Sequence, residues 1–314
     1  MEATHVGLGL LAKAFLWLGA PAAIIALAVN SPPTASILPI VLLPTIWALY
    51  KHRSLPAEQR VDPSHLALIF WTVGTIGVVS VISIQALACY GVATLLFGTT
   101  LAAKDYMAEF GRSSVAGLTV DELGRRAELA HSWRHFAMLL FFTYVVAGGA
   151  EELLKFAPIA FLRSRQPDRM PMATKAKRYM QYAIAAGLGF STTENVGFIM
   201  VAINDSHSVW KVALTVLERV LSGGPGHVLC ACLSAINAAR LDHAKLTPRT
   251  LWQIVGLSAF YHGTFDFMLF AITAWNGNVG WIHPTDAVSL VTGAVGVVAL
   301  QSTLAFQVRR RWSA

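Results

Sequence analysis

The sequence predicts an all-α fold, a polytopic membrane helix bundle of about eight transmembrane helices with both termini in the cytoplasm. Hydrophobic residues make up 55% of its 314 residues and charged residues only 13%, about half the charged share of soluble domains. The mean hydropathy is +0.56. Several apolar runs reach the ~20 residues that cross a ~30 Å hydrocarbon core. Together these observations exclude an ordinary soluble protein.

Eight apolar segments define the predicted spans. The third is too long for a simple crossing and is expected to tilt or to extend past the bilayer. The first resembles a signal peptide, but with Glu2 in place of a basic leader and seven spans behind it, we interpret it as an ordinary helix. The predicted spans are residues 6–29, 34–50, 66–98, 135–162, 179–203, 210–238, 251–274 and 285–307.

Connections that contain basic residues alternate along the chain with connections that contain none. This alternation predicts the orientation of the protein in the membrane. The short connections 30–33, 204–209 and 275–284 contain no Lys or Arg. Under the positive-inside rule the basic connections and both termini face the cytoplasm. Positive charge placed beside headgroups indicates contact with the lipid bilayer and no nucleic-acid partner, despite a net charge of +7. The basic residues of the connections 51–65, 163–178 and 239–250 and of the C-terminal tail are Lys51, Arg53, Arg60, Arg163, Arg165, Arg169, Lys175, Lys177, Arg178, Arg240, Lys245, Arg249, Arg309, Arg310 and Arg311.

The fourth span carries Glu151, Glu152 and Lys155 inside an apolar run. One acid at the centre of a spanning helix costs roughly 2.5–3.5 kcal/mol. Both acids are within reach of the lysine, at i,i+4 and i,i+3, and the acid that does not pair with it faces elsewhere. Two adjacent acids in a low dielectric are how a general base is made. The alternative is a structural cluster of ion pairs that has no catalytic role.

The fifth and sixth spans add a second set of polar residues. Glu194 and Asn195 lie well inside the fifth span, and the sixth contains Arg219 and the sequence Gly223-Gly224-Pro225-Gly226-His227. Proline and three glycines at membrane depth predict a loosened or broken helix lining a cavity. His227 would then begin the next helical segment. Alternatively, Glu194 has only a structural partner on a neighbouring helix, and Arg219 forms only a local ion pair with Glu218.

The seventh span carries His262 and Asp266 at i,i+4. This spacing puts both side chains on one face, so Asp266 can orient the imidazole or share a bound ion. Two histidines and a carboxylate from different helices can also ligate zinc with one open position. His-Glu-x-x-His is absent, so the usual zinc-protease helix is missing. The candidate metal ligands are His227, His262, Glu194 and Asp266.

The sequence divides into three predicted domains. Residues 1–134 hold the N-terminal spans and an extracytoplasmic amphipathic segment, with helices expected over 101–110 and 120–131. Residues 135–274 form a four-helix core that contains all the polar groups above. Residues 275–314 hold the last span and a basic tail.

These motifs resemble those of the PrsW family of intramembrane proteases, relatives of the CAAX-processing and bacteriocin-immunity membrane peptidases. The resemblance covers about residues 148–270 and depends on order and spacing. The wider superfamily tends to carry Arg, His and Asn where this chain has Lys155, Glu194 and Asp266, which favours the PrsW branch. The matching motifs are Glu151-Glu152-x-x-Lys155, Phe190-x-x-x-Glu194-Asn195, Arg219 with Pro225-x-His227, and His262-x-x-x-Asp266.

The resemblance implies hydrolysis of peptide bonds within or next to the membrane. The PrsW family is known for cutting membrane-anchored anti-sigma factors in bacteria, which implies a membrane-anchored protein substrate and a bacterial cell membrane. It is commonly described as a metalloprotease family, whereas a related CAAX enzyme resembles a metal-free glutamate protease. The sequence leaves both mechanisms open.

Two hypotheses of function follow. In the first, Glu151 or Glu152 of an intramembrane endopeptidase takes a proton from water, and Glu194, His262 and Asp266 hold that water or a zinc ion. His227 or Arg219 with Asn195 stabilises the oxyanion, and Lys155 supports the site. The second hypothesis is a proton- or cation-coupled transporter that uses the same buried groups. A silent membrane scaffold is a third reading, in which the buried acids have no purpose.

Overall fold

The computed structural model describes residues 9–165, 171–205, 208–244 and 251–313. All regular secondary structure in these ranges is helical, with no strand. Eight of the described helices are long and apolar enough to cross a membrane. The predicted all-α membrane fold is therefore confirmed, while the cytoplasmic placement of both termini stays a prediction. Asp168, Arg169, Lys245 and Arg249 of the basic connections, and residues 6–8 of the first span, lie outside the described residues.

Ten helices, numbered here along the chain, make up the part of the fold that the structure describes. Most of the eight long ones extend a few residues beyond the predicted spans, because hydropathy marks only the apolar part and a helix continues into the headgroup region. In the third span the long helix begins at Pro63, after a short turn. The helices are α1 Leu10–Asn30, α2 Pro32–Arg53, α3 Pro63–Phe97, α4 Thr100–Phe110, α5 Val120–Ala130, α6 Trp133–Ser164, α7 Ala173–Asn204, α8 Val209–His243, α9 Trp252–Trp275 and α10 Ala287–Ser313.

The described chain divides into two compact units. Unit 1 takes in the described residues up to Val78 together with Ala157–Val228, and unit 2 takes in Val79–Phe156 together with the described residues from Leu229 onward. The three predicted domains, 1–134, 135–274 and 275–314, stay a prediction.

In unit 1, glycines bring the backbones of α3 and α7 into contact. A Cβ built at Gly189 would lie 2.1 Å from the carbonyl oxygen of Phe70, and one at Gly74 would lie 2.6 Å from that of Gly189. Gly187 likewise leaves room for α8, since its Cβ would lie 2.9 Å from the Cα of Val228. Small residues at helix interfaces permit this close approach in membranes. The approach places Glu194, one turn beyond Phe190, beside the α8 segment that carries His227.

In unit 2, glycines likewise bring α6 and α9 into close contact. A Cβ at Gly148 would lie 2.4 Å from the carbonyl oxygen of Ala259, and one at Gly263 would lie 2.6 Å from the ring of Tyr144. Gly148 comes just before the paired acids, and Gly263 comes just after His262. The contact therefore positions the acids of α6 against the histidine of α9.

The connection between α3 and α6 contains α4 and α5, as predicted. Thr119 and Glu122 form a capping box at the start of α5. The guanidinium of Arg126 is nearly fully buried and donates to Glu109 of α4 and to the carbonyl of Val279. A hydrogen bond from Arg112, more than the pairing with Arg126, lowers the pKa of Glu109. This buried arginine attaches the two short helices to the rest of unit 2.

Stretches of π-helix interrupt several of the long helices. One covers Phe141–Glu151 in α6, and another covers Arg219–Gly223 in α8. The second shows which of the two predicted outcomes the sixth span takes: the helix is loosened by a π stretch but not broken, because it continues from Val209 to His243. The wider π turn just before Pro225 gives the backbone a local adjustment around the proline that a regular α-helix lacks. Both π stretches border candidate site residues.

Gly148→Ala is expected to lower the free energy of unfolding of the purified protein by about 1–3 kcal/mol, because the new methyl group overlaps the backbone of α9. The measurement is thermal unfolding in detergent. Gly91→Ala is the matched control: it lies inside α3, and its Cβ would meet no heavy atom of the described chain within 4 Å. That control should be neutral or gain up to about 1 kcal/mol from helix propensity. Equal behaviour of the two variants would contradict the tight α6–α9 contact.

Candidate functional site

Glu151, Glu152 and Lys155 form a buried ionic group at the end of the π stretch in α6. Lys155 and Glu152 are fully buried, with Nζ donating to Oε1 over 2.6 Å. The Oε2 atom of Glu151 lies 3.7 Å from the same Nζ. Helical spacing predicts that either acid can reach the lysine, and the structure brings both within 4 Å. The lysine thus compensates two carboxylates that would otherwise be unfavourable at this depth.

His262 of α9 joins this group through both ring nitrogens. Nδ1 donates to Oε1 of Glu152 over 2.9 Å. Nε2 lies 3.5 Å from Oδ2 of Asp266 and 3.6 Å from Oε2 of Glu151. The side chain that orients the imidazole by a hydrogen bond at Nδ1 is therefore Glu152, and Asp266 instead lies beside Nε2. Sequence spacing gave only the Asp266 relationship, because Glu152 is 110 positions from His262.

Gln85 of α3 is a further member of the group that sequence reasoning missed. Its Nε2 donates to Oε1 of Glu151 over 3.0 Å. The only signal in the sequence was a single amide side chain in an apolar span. No motif of polar residues at helical spacing includes it. Among the described residues no hydrogen-bond partner reaches the buried Oε2 of Glu152. The unit 2 group is defined as Gln85, Glu151, Glu152, Lys155, His262 and Asp266.

Unit 1 contains a second polar group, on α7 and α8. Arg219 donates from Nη2 to Oε2 of Glu194 and from Nε to Oδ1 of Asn195, the latter over 2.9 Å. Asn195 returns a hydrogen bond from Nδ2 to the carbonyl of Arg219 over 3.2 Å. His227 donates from Nε2 to the same Oε2 of Glu194 over 2.8 Å. The unit 1 group is defined as these four residues: Glu194, Asn195, Arg219 and His227.

Aromatic rings complete the unit 1 group. The ring of Phe190 lies 5.2 Å from that of His227, between centroids. The guanidinium of Arg219 lies 4.2 Å above the ring of Phe198, a cation–π contact. Arg219 is therefore held by an acid, an amide and a ring at once. All nine residues predicted from the sequence fall into one of the two groups; their roles stay predictions.

The donor atoms of the unit 2 group suit a divalent metal ion. Two ligands of a tetrahedral zinc ion are separated by roughly 3.3 Å, for bonds of about 2.0–2.1 Å. The 3.5 Å between Nε2 of His262 and Oδ2 of Asp266, both predicted ligands, is close to this value. Imidazole nitrogen and carboxylate oxygen are also ligand types that zinc accepts. The other predicted ligands, Glu194 and His227, contact each other within unit 1.

Ionisable residues that pair with one another on membrane-length helices are typical of membrane proteins with a catalytic or transport site. Comparison with protein families decides between these two classes. The model of the PrsW family of intramembrane metalloproteases matches residues 63–300. The chain belongs to this family. Comparison with curated proteins gives no match, and neither does comparison with solved structures.

Family membership makes this protein an intramembrane protease that acts on membrane-bound substrates, and it implies a metal ion. The prediction of a protease is thereby confirmed, as is the resemblance on which it was based. Neither the family match nor the described residues support the transporter alternative. The match also covers the third span, where the sequence motifs gave no indication.

Proposed function

We propose that this protease is an endopeptidase that cuts membrane-anchored proteins by attack of a water molecule activated at the unit 2 group. The observation that carries the proposal is the buried contact of Glu151 and Glu152 with both Lys155 and His262. Hydrolysis by this route needs a carboxylate that accepts a proton and neighbouring groups that hold it in place. Glu151 and Glu152 supply the carboxylates, and Lys155 and His262 lie beside them.

We assign the general base to Glu151 in preference to Glu152. Oε1 of Glu152 already accepts hydrogen bonds from Lys155 and His262, which suits a residue that positions the histidine. Oε2 of Glu151 lies on the Nε2 side of His262, where Asp266 also lies. Glu151 would take one proton from water while the oxygen attacks the scissile carbonyl. The proton then passes to the amine as the C–N bond breaks, which leaves a new carboxyl and a new amino terminus.

The unit 1 group would stabilise the oxyanion in the same reaction. Arg219 is a permanent cation, and Glu194 and Asn195 fix its guanidinium by hydrogen bonds. His227 donates to the same oxygen of Glu194 that accepts from Arg219. Preorganised donors aimed at a developing negative charge contribute about 10²–10³-fold each in acyl transfer. The sequence motifs, rather than any contact described above, link this group to the unit 2 group.

Zinc is the metal that we propose, with His262 and Asp266 as ligands in unit 2 and His227 and Glu194 as further ligands predicted from the sequence. When bound, zinc polarises a carbonyl oxygen and makes water a stronger acid. Glu152, itself paired with Lys155, would then orient His262, since a hydrogen bond at the other ring nitrogen fixes which nitrogen faces the metal.

The proposed substrates are single-span membrane proteins of the anti-sigma-factor type, and the proposed location is the bacterial cell membrane. Both follow from the family resemblance. The chain contributes the eight apolar helices that would place the site in the same hydrophobic layer as a substrate helix.

Purified protein in detergent, incubated with a tagged single-span substrate, is expected to release two fragments. The products are followed by gel and mass spectrometry, which also locate the cut. If the intact substrate persists with several different single-span proteins, or if Glu151→Gln, Glu152→Gln and His262→Ala all keep full activity, the proposed mechanism is wrong.

Metal removal is expected to abolish this cleavage, and elemental analysis is expected to find about one zinc ion per chain. His262→Ala should lower the zinc content of the purified protein, a result that does not depend on activity. His131→Ala, which removes an exposed histidine outside both groups, is the control and should retain zinc. Cleavage that continues in protein free of metal would instead favour water activated by the acids alone.

A further inference from the structure

Unit 2 contains a cavity well away from the ionic groups described above. It has a volume of about 560 Å³, within the usual range for small-molecule sites. It is open to the surface, and the end of α8, the beginning of α9 and the end of α10 border it. The polar residues that line it are Asn237, Arg240, Gln253, Gln307, Arg310 and Arg311.

The charge of this cavity is entirely positive. Three guanidinium groups line it, from Arg240, Arg310 and Arg311, and no acidic residue does among the described part of the chain. Asp242, the nearest acid in sequence on α8, is not part of the lining. Three amide side chains add polar, uncharged groups to the lining. Guanidinium groups bind phosphate with two parallel hydrogen bonds, so this lining suits a phosphate ester.

One of the arginines is held in place. Asn237 is buried, and its Nδ2 donates to the carbonyl of Ile254 over 2.9 Å. Its Oδ1 accepts from Nη1 of Arg311 over 2.9 Å. Arg311 therefore faces the cavity without having to be ordered by a ligand, while the exposed Arg240 and Arg310 are available to close over one. A preorganised donor lowers the entropic cost of binding.

Two partly exposed tryptophans indicate that the cavity lies near the lipid headgroups. Trp252 and Trp312 are about half exposed and adjoin the lining residues Gln253 and Arg311 in sequence. Tryptophan marks the boundary between hydrocarbon and water in membrane proteins. Arginines near helix ends are expected for orientation alone, but orientation does not require that three of them line one cavity. Basic pockets between transmembrane helices on the cytoplasmic side bind anionic headgroups.

We propose that this cavity binds the phosphate headgroup of an anionic membrane phospholipid. The cavity is formed by three helices, one of which, α9, also carries His262, so an occupied cavity would stabilise the packing of α8, α9 and α10 in unit 2. The inference does not depend on the proposed catalytic residues, because none of them lines the cavity.

Thermal unfolding of the full chain in a neutral detergent tests the proposal. Titrated phosphatidylglycerol is expected to raise the unfolding temperature, and phosphatidylcholine is not. Arg240→Gln and Arg310→Gln should each require about fivefold more phosphatidylglycerol for the half-maximal shift. Arg309→Gln removes the same charge from the next position on α10 but does not line the cavity, and it should change the titration less than about twofold.

Three results would overturn the proposal. Arg309→Gln could weaken the response as much as Arg310→Gln, which would show a general effect of surface charge. Both cavity variants could respond like the wild type. Inorganic phosphate at the same concentration could produce the full shift, which would show that the lipid is not the ligand. Arg240 and Arg310 are exposed, so their substitution is expected to leave the folded protein intact.

Discussion

Glu151→Gln is expected to lower the rate of peptide-bond cleavage by about 10²–10⁴-fold, the contribution of a positioned general base. Glutamine keeps the size of the side chain and its contact with Gln85, but it cannot accept a proton from water at neutral pH. Initial rates with a tagged single-span substrate, at saturating and limiting concentrations, provide the measurement. The loss should appear in kcat, because the carboxylate acts on the reacting water and not on substrate binding.

Glu128→Gln is the control for this change, since Glu128 is exposed on α5, and its rate should equal that of the wild type. Thermal unfolding of Glu151→Gln separates lost chemistry from lost structure. An inactive variant that is also unfolded would leave the rate uninformative, and Glu151→Asp, which keeps the charge and shortens the reach, then decides: it should fold and still cleave more slowly. A fully active Glu151→Gln would contradict the assignment of the base.

Lys155→Met is expected to destabilise the protein by about 3–5 kcal/mol, the usual result of removing one partner from a buried ion pair. Lys155 is fully buried, and its Nζ lies 2.6 Å from Glu152 and 3.7 Å from Glu151. Without it, two neighbouring carboxylates remain in a low dielectric, and of the contacts described above only those with Gln85 and His262 are left to compensate them. Equilibrium unfolding in mixed micelles measures the loss.

Adding Glu152→Gln to Lys155→Met should recover part of the stability, because the second substitution removes one uncompensated charge. Lys211→Met, at an exposed position near the start of α8, should change the stability by less than about 0.5 kcal/mol. If Lys155→Met were as stable as the wild type, the lysine would not be compensating the acids, and the ionic group would need another explanation.

Much of the candidate site follows from local rules. The pairing of Glu151 and Glu152 with Lys155, and the proximity of His262 to Asp266, both come from helical spacing over three or four residues. The hydrogen bond between Glu152 and His262 does not, because it joins different helices. Helical spacing indicated only Asp266 as the residue that could orient the imidazole, and it gave no sign of Glu152. The close approach through Gly148 and Gly263 makes that choice.

The course of α8 shows where local rules leave two outcomes open. Three glycines and Pro225 predict a loosened or broken helix, and the structure has a continuous helix loosened by a π stretch, Arg219–Gly223. Propensity describes the cost of a residue in an isolated α-helix, and it does not include the alternative hydrogen-bond pattern of a π turn. Neighbouring helices stabilise that alternative inside a membrane protein.

The amino-acid sequence alone determined the number of spans, the all-α class and the motifs that indicate a PrsW protease. These depend on hydropathy and on spacing within one helix, which are local properties of the chain. Only the tertiary structure decided that Gln85 contacts Glu151, that Glu152 orients His262, and that three arginines from α8 and α10 line one cavity. Such contacts depend on how closely and at what angle helices pack, and that is set by side chains far apart in the sequence.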